Sequence, residues 1–132
     1  MVHANQQITF IYTTDLAASA HFYGEQLALP LVVDQGSCHI YRVNPAAYLG
    51  ICTGEDAPSR AEISAKRQLI LTWVVDDVPA CYESLRARGV IFESAPRVHS
   101  GFSIEHCFLR DPNGYLLEIQ RFLDPNWHEA LP

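Results

Sequence analysis

Runs of β-branched and aromatic residues alternate along the chain with stretches whose apolar residues recur every three or four positions. Residues 8–12 (ITFIY) form the first run and predict a strand. Thr13-Thr14-Asp15 then offers side-chain oxygens to the unpaired N–H groups of a helix start. Leu16, Ala20, Tyr23 and Leu27 share one helical face, which predicts an amphipathic helix over residues 16–27. Pro30 ends it, because the residue before a proline avoids helical angles. Three strands are expected next, at residues 31–33, 38–43 and 48–53, with Gln35-Gly36 and Asn44-Pro45 as the turns.

A polar stretch, residues 54–68, separates this pattern from a second copy of it. It contains Pro58, Arg60, Lys66 and Arg67 and reads as a connector with room for one helical turn. Residues 69–75 (LILTWVV) predict a strand, and Asp76-Asp77 opens a helix with Pro79 in its first turn, where a missing N–H costs little. That helix runs to about Arg88 and stops at Gly89, a residue suited to left-handed backbone. Strands are expected at residues 90–93, 104–110 and 115–122. Asp111-Pro112-Asn113-Gly114 is a strong turn between the last two. Both halves thus read strand, helix, three strands. They form modules at about residues 6–54 and 68–123, joined by a connector at 55–67 within one domain of 132 residues. The pattern alone supports an α+β sandwich or half-barrel, and a ferredoxin-like β-α-β pair would match part of it.

Composition narrows the function. Apolar residues make up 48 % and charged residues 18 %, enough for a packed core and too little charge for disorder. The net charge of −6 argues against nucleic acid, whose phosphates need a basic face, and leaves a cationic small molecule open. The first seven residues form no apolar h-region and no apolar run approaches the roughly 20 residues of a membrane helix, so neither a signal peptide nor a membrane span is expected. The expected location is the cytoplasm. Cys38, Cys52, Cys81 and Cys107 show no C-x-x-C spacing and read as buried free thiols in a reducing compartment. Trp127, in the tail, is expected to pack on the body or across a dimer.

Three segments resemble those of the glyoxalase/bleomycin-resistance/dioxygenase proteins, the vicinal oxygen chelate superfamily. Residues 14–29 (TDLAASAHFYGEQLAL) resemble the first helix of that family, with Ser19, Phe22 and Tyr23 in register. Residues 74–90 (VVDDVPACYESLRARGV) resemble its second helix, and residues 108–120 (FLRDPNGYLLEIQ) its terminal hairpin. With the strands between them, the resemblance covers nearly the whole chain. It implies two βαβββ modules forming a cupped eight-stranded mixed sheet, a small molecule bound inside the cup, and a homodimer.

Metal-using members of that superfamily place ligands at four strand positions. By resemblance these map to Ile8, to Gly50 or Ile51, to Ile70 and to Glu118. Apolar residues do not coordinate a hard or borderline cation, so no metal and no other cofactor is expected. Glu118 is the candidate catalytic base or polar anchor, its cup-facing orientation again implied by the resemblance. Strand alternation then puts Phe10, Tyr12, Thr72 and Gln120 on the same side, with Trp73 turned away under a helix. His39 and His106 lie inside strands and are candidate acids or bases. Gly101-Phe102 resembles the family's mobile rim loop, with Arg97 just before it. The expected ligand-binding set is therefore Phe10, Tyr12, Thr72, Phe102, His106, Glu118 and Gln120.

The expected function is metal-independent binding of an apolar or aromatic small molecule, with a cationic one left open by the acidic balance. The alternative is an enzyme: a lyase or isomerase using Glu118 or a histidine as base, or a dioxygenase-type enzyme with displaced ligands. A third class is a structural or regulatory dimer whose cup is filled by its own side chains. No nucleic-acid or membrane partner is expected.

Overall fold

The computed structural model describes residues 1–54, 56–65 and 69–125. Trp127, and Lys66 and Arg67 of the connector, lie outside these described residues. The chain divides into two compact units, Met1–Lys66 with Asp111–Gly114, and Arg67–Arg110 with Tyr115–Pro132.

The first unit runs β1 (Gln7–Thr13), α1 (Leu16–Ala20), β2 (Leu31–Asp34), β3 (Cys38–Asn44), β4 (Ala47–Thr53) and the short α2 (Arg60–Ser64). Its sheet has the order β1-β4-β3-β2, with β1 and β4 parallel and the other pairs antiparallel. The second unit runs β5 (Ile70–Val74), α3 (Val78–Ala87), β6 (Arg97–His99), β7 (Ile104–Arg110) and β8 (Leu116–Phe122). Its sheet, β5-β8-β7-β6, repeats the same pairing scheme. The α+β class and the two βαβββ modules read from the sequence are the observed ones. Among the described residues no helix is long and apolar enough to cross a membrane.

The two helix starts are built alike. Asp15 Oδ1 accepts from Ala18 N at 3.0 Å and Asp77 Oδ1 from Ala80 N at 2.9 Å, each satisfying a donor the helix itself leaves free. Strand alternation sorts each sheet into a helix face and an opposite face. In the first unit Ile11, Tyr41, Leu49 and Ile51 are buried on the helix face, while Ile8, Phe10 and Tyr12 stand on the other. In the second, Leu71, Cys107, Leu109, Leu117 and Ile119 are buried on the helix face; Thr72, His106, Glu118 and Gln120 share the other.

The Asp-Pro-Asn-Gly turn is tied into the first unit by a buried polar network. Tyr23 Oη donates to Asp111 Oδ2 at 2.6 Å, and Asn113 N to Asp111 Oδ1 at 2.9 Å. Asn113 Nδ2 reaches Ser19 Oγ at 3.1 Å, Ser19 Oγ donates to Thr13 Oγ1, and Thr13 Oγ1 donates to Asn113 Oδ1. Gly114 completes the turn at φ 95°. A Cβ there would lie 2.4 Å from Ser64 Oγ and 2.8 Å from Arg60 O, so both backbone and space require glycine. Ser19 and Tyr23, and the turn residues that look like the family's terminal hairpin, are thus partners in one structural joint.

Three expectations are corrected. The first helix widens after Ala20 into π-type turns over His21–Gln26, with Leu27 N bonding Phe22 O at 2.8 Å. It ends at Ala28 in left-handed backbone (φ 58°), ahead of Pro30. The strand expected at residues 90–93 is not formed: Phe92 makes only an isolated bridge to Leu109. Glu93 N and Ser94 N both turn onto Phe108 O, and Pro96 has no N–H for a ladder. The edge strand is β6, further on. Finally, Cys38 and Cys52 are not free thiols but a disulfide. Antiparallel pairing of β3 and β4 sets them directly opposite on one face, with Cα atoms 4.1 Å apart. Closing a loop with a sequence separation of 14 stabilises the fold by about 3 kcal/mol in the chain-entropy account. Cys81 and Cys107 remain free.

Candidate functional site

The polar side chains of the second sheet converge where β5, β7 and β8 lie side by side. Thr72 and Glu118 are parallel register partners, and Thr72 Oγ1 donates to Glu118 Oε1 at 2.9 Å. His106 pairs in register with Gln120, which makes it the diagonal neighbour of Glu118 on the same face. Its Nδ1 lies 2.6 Å from Glu118 Oε2. As a carboxylate Glu118 has no hydrogen to give, so Nδ1–H is the donor of that bond. Both oxygens of Glu118 are therefore engaged within the sheet.

That arrangement leaves Nε2 of His106 as the chemically open atom. His106 is only 5 % exposed, and among the described residues its Nε2 is buried without a hydrogen-bond partner. An unmade hydrogen bond at a buried polar atom costs about 1–3 kcal/mol. Aromatic rings surround the imidazole. Phe108 packs edge-on with centroids 5.0 Å apart, His99 edge-on at 6.0 Å, and Phe102 stacks on His99 at 4.6 Å. Phe102 itself is 71 % exposed. Beneath this face lies Cys107, fully buried on the helix side. Burial pushes its thiol up to about 12, with smaller contributions from Cys81, Glu118 and Glu105.

Of the residues singled out from the sequence, Thr72, His106 and Glu118 meet in one hydrogen-bonded group, with Gln120 beside His106 in register. Phe102 joins through His99. Phe10 and Tyr12 belong to the other unit, where Phe10 pairs with Gly50 and Tyr12 with Cys52. His39 is not on the corresponding face. It lies on the helix face of β3 beside Tyr41, with Nε2 3.4 Å from Asp34 Oδ1. His99 was missed, because its strand was not expected and its face was not readable.

The four positions that the resemblance assigns to metal ligands can now be fixed. Gly50 shares its face with Ile8 and Phe10, whereas Ile51 is fully buried on the helix face, so the second residue of that set is Gly50. Ile8, Gly50 and Ile70 offer no donor atom and Glu118 is already paired, so these residues do not fit a metal. Among the described residues no group of three or more His, Cys, Asp or Glu could hold one.

Comparison with known proteins places these features in context. The family model for the Glyoxalase/Bleomycin resistance protein/Dioxygenase superfamily matches residues 2–119. The uncharacterized protein YraH of Bacillus subtilis (strain 168) is 28 % identical over 123 residues, covering 86 % of this chain and 94 % of its own. Among solved structures, a glyoxalase/bleomycin resistance protein/dioxygenase from Nocardioides has a TM-score of 0.77 at 21 % identity, covering 100 % of this chain and 92 % of its own. A virulence protein from Salmonella typhimurium has a TM-score of 0.69 at 18 % identity, covering 92 % and 99 %. At these identities the solved structures speak for the fold alone.

Proposed function

Because the chain belongs to the Glyoxalase/Bleomycin resistance protein/Dioxygenase superfamily, we propose that it binds a small organic molecule without a metal, on the second sheet, with His106 as the polar contact. The observation that carries this reading is the buried, unpartnered Nε2 of His106, held in place by Glu118 from the other side of the ring. A buried imidazole fixed at Nδ1 and idle at Nε2 is costly unless a ligand atom completes it. Glu118 then positions the histidine rather than touching the ligand. The surrounding rings of Phe108, His99 and Phe102 supply the aromatic walls usual for such a site.

The same pair favours a second reading, proton transfer. An imidazole whose Nδ1–H is held by a carboxylate has its Nε2 ready to take or give a proton, which suits a lyase or isomerase working without a metal. The reading also takes the chain as a homodimer, supported by the resemblance and by apolar side chains such as Ile70 and Val74 that the single chain leaves exposed; the cytoplasmic location expected from free thiols loses that support with the Cys38–Cys52 disulfide.

Histidine side-chain NMR of the labelled protein against a library of small aromatic and aliphatic compounds tests the site. Binders should move the His106 Nε2 resonance, and His106→Phe should abolish their binding while the protein stays folded. Binders whose affinity is indifferent to His106→Phe would place the site elsewhere. Turnover lost in Glu118→Gln with binding retained would favour proton transfer.

A further inference from the structure

The edge strand of the second sheet adds a charge to this site. Arg97 is the antiparallel register partner of His106, so the two side chains stand next to each other on the same face. His99, two residues on, shares that face and touches the His106 ring. Arg97 is exposed, and among the described residues its side chain makes no ion pair and no hydrogen bond. The other cation of this face, Arg110, is engaged by Glu93, with Nε 2.6 Å from Oε1. Glu118, the carboxylate nearest to His106, has both oxygens occupied by Thr72 and His106. The uncommitted charge beside the open Nε2 is thus a guanidinium, next to a stacked pair of rings.

Resting on the binding reading above, we propose that the ligand of this site is an aromatic carboxylate. Its acid group pairs with Arg97, its ring lies against the His99–Phe102 stack, and a second polar atom meets His106 Nε2. A planar guanidinium matches a carboxylate with two parallel hydrogen bonds. One free arginine suits a monoanion better than a phosphate, which carries more charge. The chain's net charge of −6 left a cationic ligand open. Net charge is a property of the whole surface, however, and the charged side chain on this face that no ion pair or hydrogen bond engages among the described residues is a cation.

The test compares benzoate, 2-hydroxybenzoate and 2-naphthoate with benzamide and benzylamine, read by His106 chemical shift and calorimetry on the wild type and on Arg97→Gln. Arg97 lies at the exposed edge of a three-residue strand, so the variant should fold. The acids should bind about tenfold or more tightly than the amide, and Arg97→Gln should erase that preference. Equal affinity of acid and amide, a preference for benzylamine, or an acid preference that survives Arg97→Gln overturns the proposal. In those three cases a shifted His106 leaves the binding reading intact. If no compound moves His106, the aromatic carboxylate and the binding reading fall together.

Discussion

The ring of Phe10 fills the space that a side chain on Gly50 would need: a Cβ there would come within 2.3 Å of Cδ1 and 2.4 Å of Cε1. This pair gains meaning from the repeat. Gly50 on β4 is flanked in register by Phe10 and Ile40, as Glu118 on β8 is flanked by Thr72 and Phe108. Position 50 is the first module's counterpart of Glu118. By the same register, the Cys38–Cys52 disulfide answers to His106 and Gln120. One module carries the carboxylate and imidazole; the other has a phenyl ring and a covalent bridge in the matching places. The duplicated frame is symmetric while its chemistry is not.

Gly50→Ala therefore forces Phe10 out of its place, and overpacking of this kind costs about 1–3 kcal/mol. In a Phe10→Ala background the same substitution should cost much less, since the obstructing ring is gone. Urea unfolding of the two single variants and the double variant gives the coupling directly. Additive costs would mean that the ring and the glycine do not constrain each other.

Tyr23 and Asp111 make a second testable pair. The hydroxyl is the donor that reaches Asp111 Oδ2 at 2.6 Å from the first helix, and both residues are almost wholly buried. Tyr23→Phe should destabilise by about 1.5–3 kcal/mol, the range for a lost hydrogen bond to a charged group. Tyr48→Phe, which removes a more exposed hydroxyl bonded to Gln6 Nε2, should stay within about 0.5 kcal/mol. Equal unfolding midpoints for the two variants would show that the Asp111 joint contributes nothing special.

What could be read in advance follows from how locally each feature is encoded. Asp15 and Asp77 announce their helices because a cap acts within three residues. Thr72 and Glu118 fall on corresponding faces because strand alternation is a period of two. The Cys38–Cys52 bridge was illegible because its register includes an irregularity between Arg42 and Asn44, which counting outward from the turn does not reveal. β6 is too short for alternation to show, so the side that Arg97 and His99 face was lost with it. The His106–Glu118 bond spans a hairpin diagonally, and only the pairing of β7 with β8 brings Nδ1 to the carboxylate.

Cys107 gives the fold a dependence on alkaline pH. Its thiol is raised from the ordinary 9.0 to about 12, chiefly by burial. Below pH 9 the folded and unfolded chains both hold this proton, and the thiol contributes no pH dependence. Between about 9 and about 12 the unfolded chain releases it while the folded chain keeps it. The folded state then binds more protons, so stability falls as pH rises. The slope approaches about 1.4 kcal/mol per pH unit from this one group. Cys81 is also raised by burial, so the comparison must isolate Cys107. Unfolding free energies of the wild type and of Cys107→Ala, measured from about pH 8.5 to about pH 10.5, should converge as pH rises, because the variant lacks the penalty. Parallel pH profiles would mean that Cys107 ionises as readily in the folded protein as in the unfolded chain, and that the face beneath His106 and Glu118 admits water.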